Sequence, residues 1–381
     1  VRVCRFGTFD DGPFYGRNAA VRLGLERRGF EVVDCRPRRR RWSGWAPQRR
    51  SRRSWIGMAM DLARDWLSLA RQRRALRDAD LVLVPYPPHA DVLLVRFLSG
   101  RRRKPTVIDA FLGLHDTLVS DRRLVSPGSV LSRLLRGWEA RALRAADLVL
   151  LDTEAQVRTL GAKYGLDAAK LAAIPVGLDE GLWLPVPYPS RNERFLVAFW
   201  GSFIPLHGVD TIARAASLVE RREPRIAFRL VGDGQEAPAV EALLNELRPG
   251  NLTWTRDLRP IEELQELAAA AACVLGIFGE SDKAGAVIPY KVYQGLATGR
   301  PVVTRESRAI AEALPDCEAL LRVPAGDPRA LADALCDLAA DPQRCEAMAA
   351  SARDCYDLHL SQSVLDERLG AALAAVAPAL A

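Results

Sequence analysis

The spacing of apolar and polar positions repeats one theme twice along the chain. Residues 1–9, VRVCRFGTF, alternate and are β-branched, which predicts a strand. DDGPFYGRN follows as a loop with two glycines and a proline. AAVRLGLERRG has the spacing of an amphipathic helix stopped by Gly29, and FEVVDCRP reads as the next strand. A β-loop-α-β unit of this kind predicts a parallel, doubly wound sheet. ADLVLVPY and KPTVIDAF are unbroken apolar runs of strand length, as strands buried on both faces require. RALRAADLVLLDT is a helix end running into a further strand.

Prolines 175, 185, 187 and 189 then interrupt the rhythm, which marks a domain linker. Past it the theme restarts with RFLVAFWGSF, a helix at GVDTIARAASLVERR, and the strand and glycine loop IAFRLVGDG. APAVEALLNELR (helix), LTWTRDL (strand), IEELQELAAAA (helix) and ACVLGIF (strand) continue it, and DPRALADAL to the end reads as helical. The pattern predicts a first α/β domain over 1–180, a linker over 181–192, a second α/β domain over 193–355 and a C-terminal helix over 356–381.

A length of 381 residues suits two such domains, and no short-period repeat is present. Seven cysteines lie far apart without a C-x-x-C pair, which favours reduced thiols in a cytosolic protein over a disulfide framework or zinc site. Four histidines argue against a His-rich metal centre. The N-terminus is too short and too charged for a signal-peptide core, and no run of about 18 apolar residues predicts a membrane span. The expectation is a protein that is soluble or bound to a membrane surface.

The net charge of +7 is unevenly spread. No acidic residue stands between Asp34 and Asp61, while nine arginines and Trp42, Trp45 and Trp55 do. An insert over 36–56 of this composition fits a solvated loop or docking on an anionic membrane surface. Nucleic-acid binding is a third reading, with no binding motif behind it.

The candidate chemistry lies in the second half. A diphosphate leaving group calls for the N–H groups of a helix start, cationic side chains and an acceptor for ribose hydroxyls. GESDKAGAVIPYKVYQGLATG offers all three. Pro289 suits the first helical position. Lys283 falls in the loop before the helix and Lys291 in its first turn, where a cation opposes the helix dipole. Gln294, a turn further on, carries an amide oxygen for a ribose hydroxyl. In WGSFIPLHGVDTI, Gly201 and Ser202 open a loop closing at His207, with room for a phosphate to which His207 can donate. Gly232 and Gly234 flank a tight strand-to-helix turn that can admit a flat base. All sit at strand C-terminal ends, where open α/β sheets bind ligands.

Together these segments resemble the retaining glycosyltransferases of the GT-B fold, group 1, often called family 4. GSFIPLHGVDTIARAA is similar to that family's glycine loop and helix at the start of the donor domain, and YQGLATGRPVV to its E-A-M-A-x-G-x-P-V-V segment. DLVLLDTEAQVRTL and LAAIPVGLDEGLW are similar to the end of its first domain and its linker. The resemblance implies two Rossmann-like domains facing across a cleft, with the C-terminal helix crossing back to the N-terminal domain. It implies a nucleoside-diphosphate sugar as donor, no required metal or other cofactor, and a front-face displacement without a side-chain nucleophile. By position it places His115 near the reaction centre after a middle strand, with Gly12, Gly16 and Arg17 lining the same cleft. Four positions depart from the family. Ser202 stands for its arginine and His207 for its lysine, while Ala286 and Gln294 replace its paired glutamates; Lys283 and Lys291 are the cations available in their place.

The implied activity is sugar transfer to a saccharide or lipid-linked acceptor in cell-envelope or exopolysaccharide synthesis. The implied setting is the cytoplasm, on the inner face of the cell membrane. A non-catalytic nucleotide-sugar-binding scaffold is the alternative that the four departures favour. A sugar-nucleotide epimerase has the same architecture, but no carboxylate pair supports it.

Overall fold

The computed structural model describes residues 1–12, 16–37, 55–100, 103–189, 194–257 and 259–376. Most of the basic insert expected over 36–56 therefore lies outside the described residues. The chain forms two compact units, Val1–Gly177 with Gln362–Ala381, and Leu178–Ser361.

The N-terminal unit is built on six parallel strands, β1 (Arg2–Phe6), β2 (Glu31–Cys35), β3 (Leu81–Val84), β4 (Thr106–Asp109), β5 (Leu148–Leu151) and β6 (Leu171–Ala173). Their order is β2-β1-β3-β4-β5-β6. β3, β4 and β5 are buried along their whole length, which is why they read as continuous apolar runs. Helices cover both faces. Leu69, Leu76, Val95, Leu143 and Leu160, from five helices, pack on one face. On the other, helix Gly16–Arg27 supplies Ala20, Val21 and Leu25, and the C-terminal helix Gln362–Val376 supplies Leu365, Leu369 and Leu373. Gln362 Nε2 donates to the Ala20 carbonyl at 2.9 Å. This helix starts at Gln362, not 356, because residues 356–359 finish helix Pro342–His359. Ser361 Oγ donates to the Asp357 carbonyl at 2.8 Å, satisfying an orphaned acceptor at that helix end.

The C-terminal unit repeats the plan with β7 (Phe195–Trp200), β8 (Ile226–Val231), β9 (Leu252–Thr255), β10 (Cys273–Leu275), β11 (Val302–Arg305) and β12 (Leu320–Val323). The order β12-β11-β10-β7-β8-β9 is again all parallel. Successive strands run outward from β7 through β9, then return to β10 on its other side. Strand order thus reverses between β7 and β10, and the crevice at their C-terminal ends is the natural ligand position of the sheet. β12 escapes the sequence pattern because it is short and sits in a leucine-rich stretch that reads equally as helix.

The proline-rich stretch expected as the domain linker is anchored to this unit at Val186 and Pro187. The Arg300 guanidinium, fully buried, donates to the carbonyls of Val186 (3.2 Å), Pro187 (2.9 Å), Ala268 (3.0 Å) and Ala269 (2.7 Å). Burial lowers its pKa to about 10. The expectation of seven reduced cysteines is overturned: Cys317 and Cys355 form a disulfide, their Cα atoms 5.5 Å apart. Their 38-residue separation carries no sequence signal, and only the docking of helix Pro342–His359 brings them together. Among the described residues no helix is long and apolar enough to cross a membrane.

Candidate active site

The C-terminal end of β7 opens onto a glycine turn. Gly201 has φ +144°, and the chain continues through Ser202 to a single helical turn, Pro205–His207, before helix Val209–Glu220. Beyond β10, a one-turn helix, Asp282–Ala286, is capped by Ser281, whose side chain accepts from the Ala284 N–H. Helix Tyr290–Ala297 follows, with Pro289 as its N-cap. Two sequence expectations are thereby corrected. Pro289 stands one position before the first helical residue, because its ψ of 145° is extended. Lys283 lies in the one-turn helix, not in a loop, because the Ser281 cap nucleates that turn.

Lys291, His207 and Gly201 converge at this point. The Lys291 side chain is buried, with Nζ 3.3 Å from His207 Nε2 and 4.7 Å from the centre of the Phe199 ring. A carbonyl only accepts, so His207 Nδ1–H donates to the Ser202 carbonyl, and in the neutral ring Nε2 is the bare nitrogen that faces Lys291. Burial without a carboxylate lowers the Lys291 pKa to about 7. The space expected for a phosphate over Gly201 holds these side chains: a Cβ there would lie 3.1 Å from Lys291 Nζ and 3.3 Å from His207 Cε1. Val292 N–H donates to the Pro289 carbonyl at 2.9 Å, so the N–H groups of Tyr290 and Lys291 precede the first helical bond. Lys283 is also buried, on the one-turn helix that packs against Pro205–His207.

Other predicted residues have structural tasks. Gln294 Oε1 accepts from the Trp200 indole N–H at 2.7 Å, and Trp200 stacks on Trp183 with ring centroids 5.9 Å apart. Its oxygen is therefore already engaged. Gly232 has φ +143°, and a Cβ there would fall 1.9 Å from the Gly201 carbonyl oxygen. At Gly234 a Cβ would fall 2.6 Å from the Phe203 carbonyl oxygen. The two glycines admit the neighbouring loop's backbone where a flat base was expected.

In the N-terminal unit, Arg17 is a buried pin. Its Nε lies 2.8 Å from both Asp109 carboxylate oxygens, and its remaining nitrogens donate to the carbonyls of Ile174, Pro175 (3.1 Å each) and Leu151 (3.2 Å). The cleft-lining role expected of it is overturned, since its fork is consumed by these bonds. Gly16 opens the helix that carries Arg17, and the Gly12 N–H donates to Asp10 Oδ1 at 3.0 Å. His115 Nδ1 is 3.1 Å from Lys163 Nζ and its Nε2 is 3.1 Å from Ser132 Oγ. Nδ1 is therefore the acceptor, Nε2–H the donor, and both ring nitrogens are occupied. Sequence reasoning missed the group behind it, Glu139. This buried carboxylate accepts the N–H groups of Leu114 (2.6 Å) and His115 (3.0 Å) and the Tyr164 hydroxyl. Burial raises its pKa, but the His89 imidazole 3.4 Å away and the hydrogen bonds from Tyr164 and the His115 N–H outweigh that and hold it at about 2. The available signal was a lone carboxylate in an arginine-rich helix. Among the described residues no three His, Cys, Asp or Glu side chains are grouped to hold a metal ion.

Comparison with known proteins gives matches in both units. Residues 194–341 match the family described as glycosyl transferases group 1, and residues 18–177 match the glycosyl transferase 4-like domain. A D-inositol 3-phosphate glycosyltransferase of Kribbella flavida is 29% identical over 231 residues, which are 56% of this chain and 53% of that protein. A GDP-mannose-dependent alpha-(1-6)-phosphatidylinositol monomannoside mannosyltransferase of Mycolicibacterium smegmatis is 27% identical over 238 residues, 57% of this chain and 62% of that one. The chain spans about half the length of the curated relatives it matches. Among solved structures, the sucrose-phosphate synthase of Thermosynechococcus elongatus superposes with TM-score 0.73 at 17% identity, covering 97% of each chain. Anabaena HepE in complex with UDP and glucose gives 0.68 at 16%, covering 98% of this chain and 99% of that one. The fold is the two-domain α/β GT-B fold.

Proposed function

The chain belongs to the group 1 glycosyl transferases, and on that premise we propose that it moves a sugar from a nucleoside-diphosphate donor to a hydroxyl of a saccharide or lipid-linked acceptor. The anomeric configuration is retained, by front-face displacement through an oxocarbenium-like transition state. One observation carries this reading: the buried Lys291 side chain has no carboxylate partner among the described residues and stands at a helix start beside the β7–β10 strand reversal. A buried cation of this kind becomes favourable when an anion arrives. The diphosphate supplies that anion, and its charge grows as the glycosidic bond breaks. Lys291 and the Tyr290 and Lys291 N–H groups meet it first, with Lys283 on the adjoining turn. His207, neutral with Nδ1 protonated, orients the lysine. Together these cationic groups take the part that a divalent metal plays in other diphosphate chemistry. The relatives named for inositol phosphate and phosphatidylinositol acceptors support a saccharide or lipid-linked acceptor, and with it a role in cell-envelope or exopolysaccharide synthesis at the cytoplasmic membrane face.

The test is calorimetric binding of UDP, GDP, ADP and TDP to the chain and to its Lys283→Ala and Lys291→Ala variants. One nucleotide binds at micromolar level, and each variant weakens it by at least tenfold, about 1.4 kcal/mol. Binding of none of the four would remove the donor site. Binding without turnover across sugar donors and acceptors would instead leave the scaffold reading, which the engaged Gln294 oxygen and the replaced positions Ser202 and His207 favour.

A further inference from the structure

Helix Val130–Ala145 turns an unusual face outward. Val130 (65% exposed), Leu134 (64%) and Trp138 (38%) recur every fourth residue, and with Leu131 (39%) they fall within roughly 100° of arc. Leu135, Ala142 and Leu143, on the adjoining inward arc, fill the cores of the unit, and Val130 and Leu134 are left about two-thirds exposed. Single exposed leucines need no explanation, but a contiguous stripe does. At helical spacing Arg141 falls inside this stripe and Arg133 about 60° beyond Val130; both are exposed and neither pairs with a carboxylate of any described residue. Glu139 is the only acidic residue between 122 and 146, and it is fully buried beneath the helix. The exposed face of this helix thus carries apolar and positive side chains and no carboxylate of the helix itself. Phe97, 82% exposed, stands on the adjoining helix Asp91–Ser99.

We propose that this face of helix Val130–Ala145 docks on an anionic phospholipid bilayer. The helix lies in the headgroup plane, with Val130, Leu134 and Trp138 at the acyl boundary and Arg133 and Arg141 on lipid phosphates. A bilayer supplies apolar depth and negative charge side by side at every point of its surface. A nucleic acid offers the charge but nothing for the leucine stripe. The inference stands on this helix alone and requires neither the donor site nor residues 38–54.

Cosedimentation of the full chain with vesicles of equal parts phosphatidylglycerol and phosphatidylcholine, against phosphatidylcholine alone, tests it. The chain binds the anionic vesicles, and salt weakens the binding. Arg133→Gln with Arg141→Gln lowers the partition coefficient about thirtyfold, from about fivefold for each arginine. Val130→Ser with Leu134→Ser lowers it by at least about tenfold. Both double variants keep the wild-type melting temperature and nucleotide affinity, since the changed side chains are exposed and lie in the N-terminal unit. Wild-type binding retained in both variants would overturn the proposal and assign the membrane contact to residues 36–56. Absence of binding by the wild-type chain would overturn it as well. So would light scattering showing a lipid-free dimer that Leu134→Ser dissociates, because the face would then belong to a second copy.

Discussion

If Lys291 receives the donor diphosphate, binding must draw a proton from solution. Burial lowers its pKa from 10.5 to about 7. Holding the charged form in the empty site therefore costs about 5 kcal/mol relative to water. A diphosphate within hydrogen-bond reach reverses that penalty and returns the pKa toward its ordinary value. At pH 8 a group with a pKa of about 7 is about one-tenth charged, so nucleotide binding takes up about 0.9 proton. The terminal phosphate, with a second ionisation near about pH 6, is already fully charged and contributes little. Titrating UDP, or whichever nucleotide binds, in buffers of differing ionisation enthalpy at pH 8 gives the proton number as a slope. The dissociation constant also rises nearly tenfold per pH unit from pH 8 to 9.5. Lys291→Met abolishes both effects. Stability moves in the opposite sense. The folded-state pKa lies below the unfolded one, so between pH 7 and 10.5 the unfolded chain holds a proton that the folded chain lacks. Stability therefore rises with pH through that window and is lowest below it. Tight binding with a slope below about 0.2 proton, or a slope unchanged in Lys291→Met, would refute the assignment of Lys291 to the diphosphate.

Three further outcomes follow from the packing. Gly232→Ala forces a Cβ to within 1.9 Å of the Gly201 carbonyl oxygen at φ +143°; urea unfolding should show a loss of about 3 kcal/mol or more, accompanied by weaker nucleotide binding. Arg300→Met strands the carbonyls of Val186, Pro187, Ala268 and Ala269 and should cost about 3 kcal/mol by the same measurement, with Arg300→Lys recovering only part because one ammonium cannot replace the fork. Leu369→Ala opens a hole between the C-terminal helix and helix Gly16–Arg27, and should lower the stability of the N-terminal unit by about 2–5 kcal/mol, read as a downward shift of one calorimetric transition.

The sheets were legible in the chain because their requirement is local. A parallel strand covered on both faces is apolar along most of its length: residues 81–84 and 148–151 are apolar throughout, and in 106–109 only Thr106 and Asp109, at the two ends, are polar. Pairing over distance left weaker marks. Arg17 resembled a ligand-binding arginine in a glycine loop, and only the fold brings Asp109 and the carbonyls of residues 151, 174 and 175 around it. Gly232 was recognisable as an obligatory glycine, but the atom that requires it belongs to Gly201, thirty-one positions earlier in the chain. Lys291 was legible for a different reason. A lysine in the first turn of a helix opposes the dipole, so it stands out against local preference before any contact is known. The burial that lowers its pKa comes from β7 and the His207 turn, which no spacing rule connects to it.

The replaced family positions become coherent when charge is counted. The resemblance leads one to expect an arginine and a lysine on the phosphate loop, both ordinarily charged at neutral pH, where this chain has Ser202 and the neutral His207. An arginine buried at the position of Lys291 would keep its charge at neutral pH, since even the buried Arg300 is lowered only to about 10. Arg300 is held by backbone carbonyls, whereas the partners at Lys291 are His207 Nε2 and the Phe199 ring. A lysine can lose its proton in the empty site and regain it when the diphosphate arrives, so the crevice stays closely packed without a counter-ion. The His207 Nε2 lone pair suits both states, accepting from the ammonium and from the neutral amine. On this reasoning Lys291→Arg is a more damaging change than its chemistry suggests. It should lower the melting temperature of the C-terminal unit while failing to restore nucleotide affinity to the level of the unaltered chain. A variant as stable and as tight-binding as the unaltered chain would mean that the site tolerates a permanent charge.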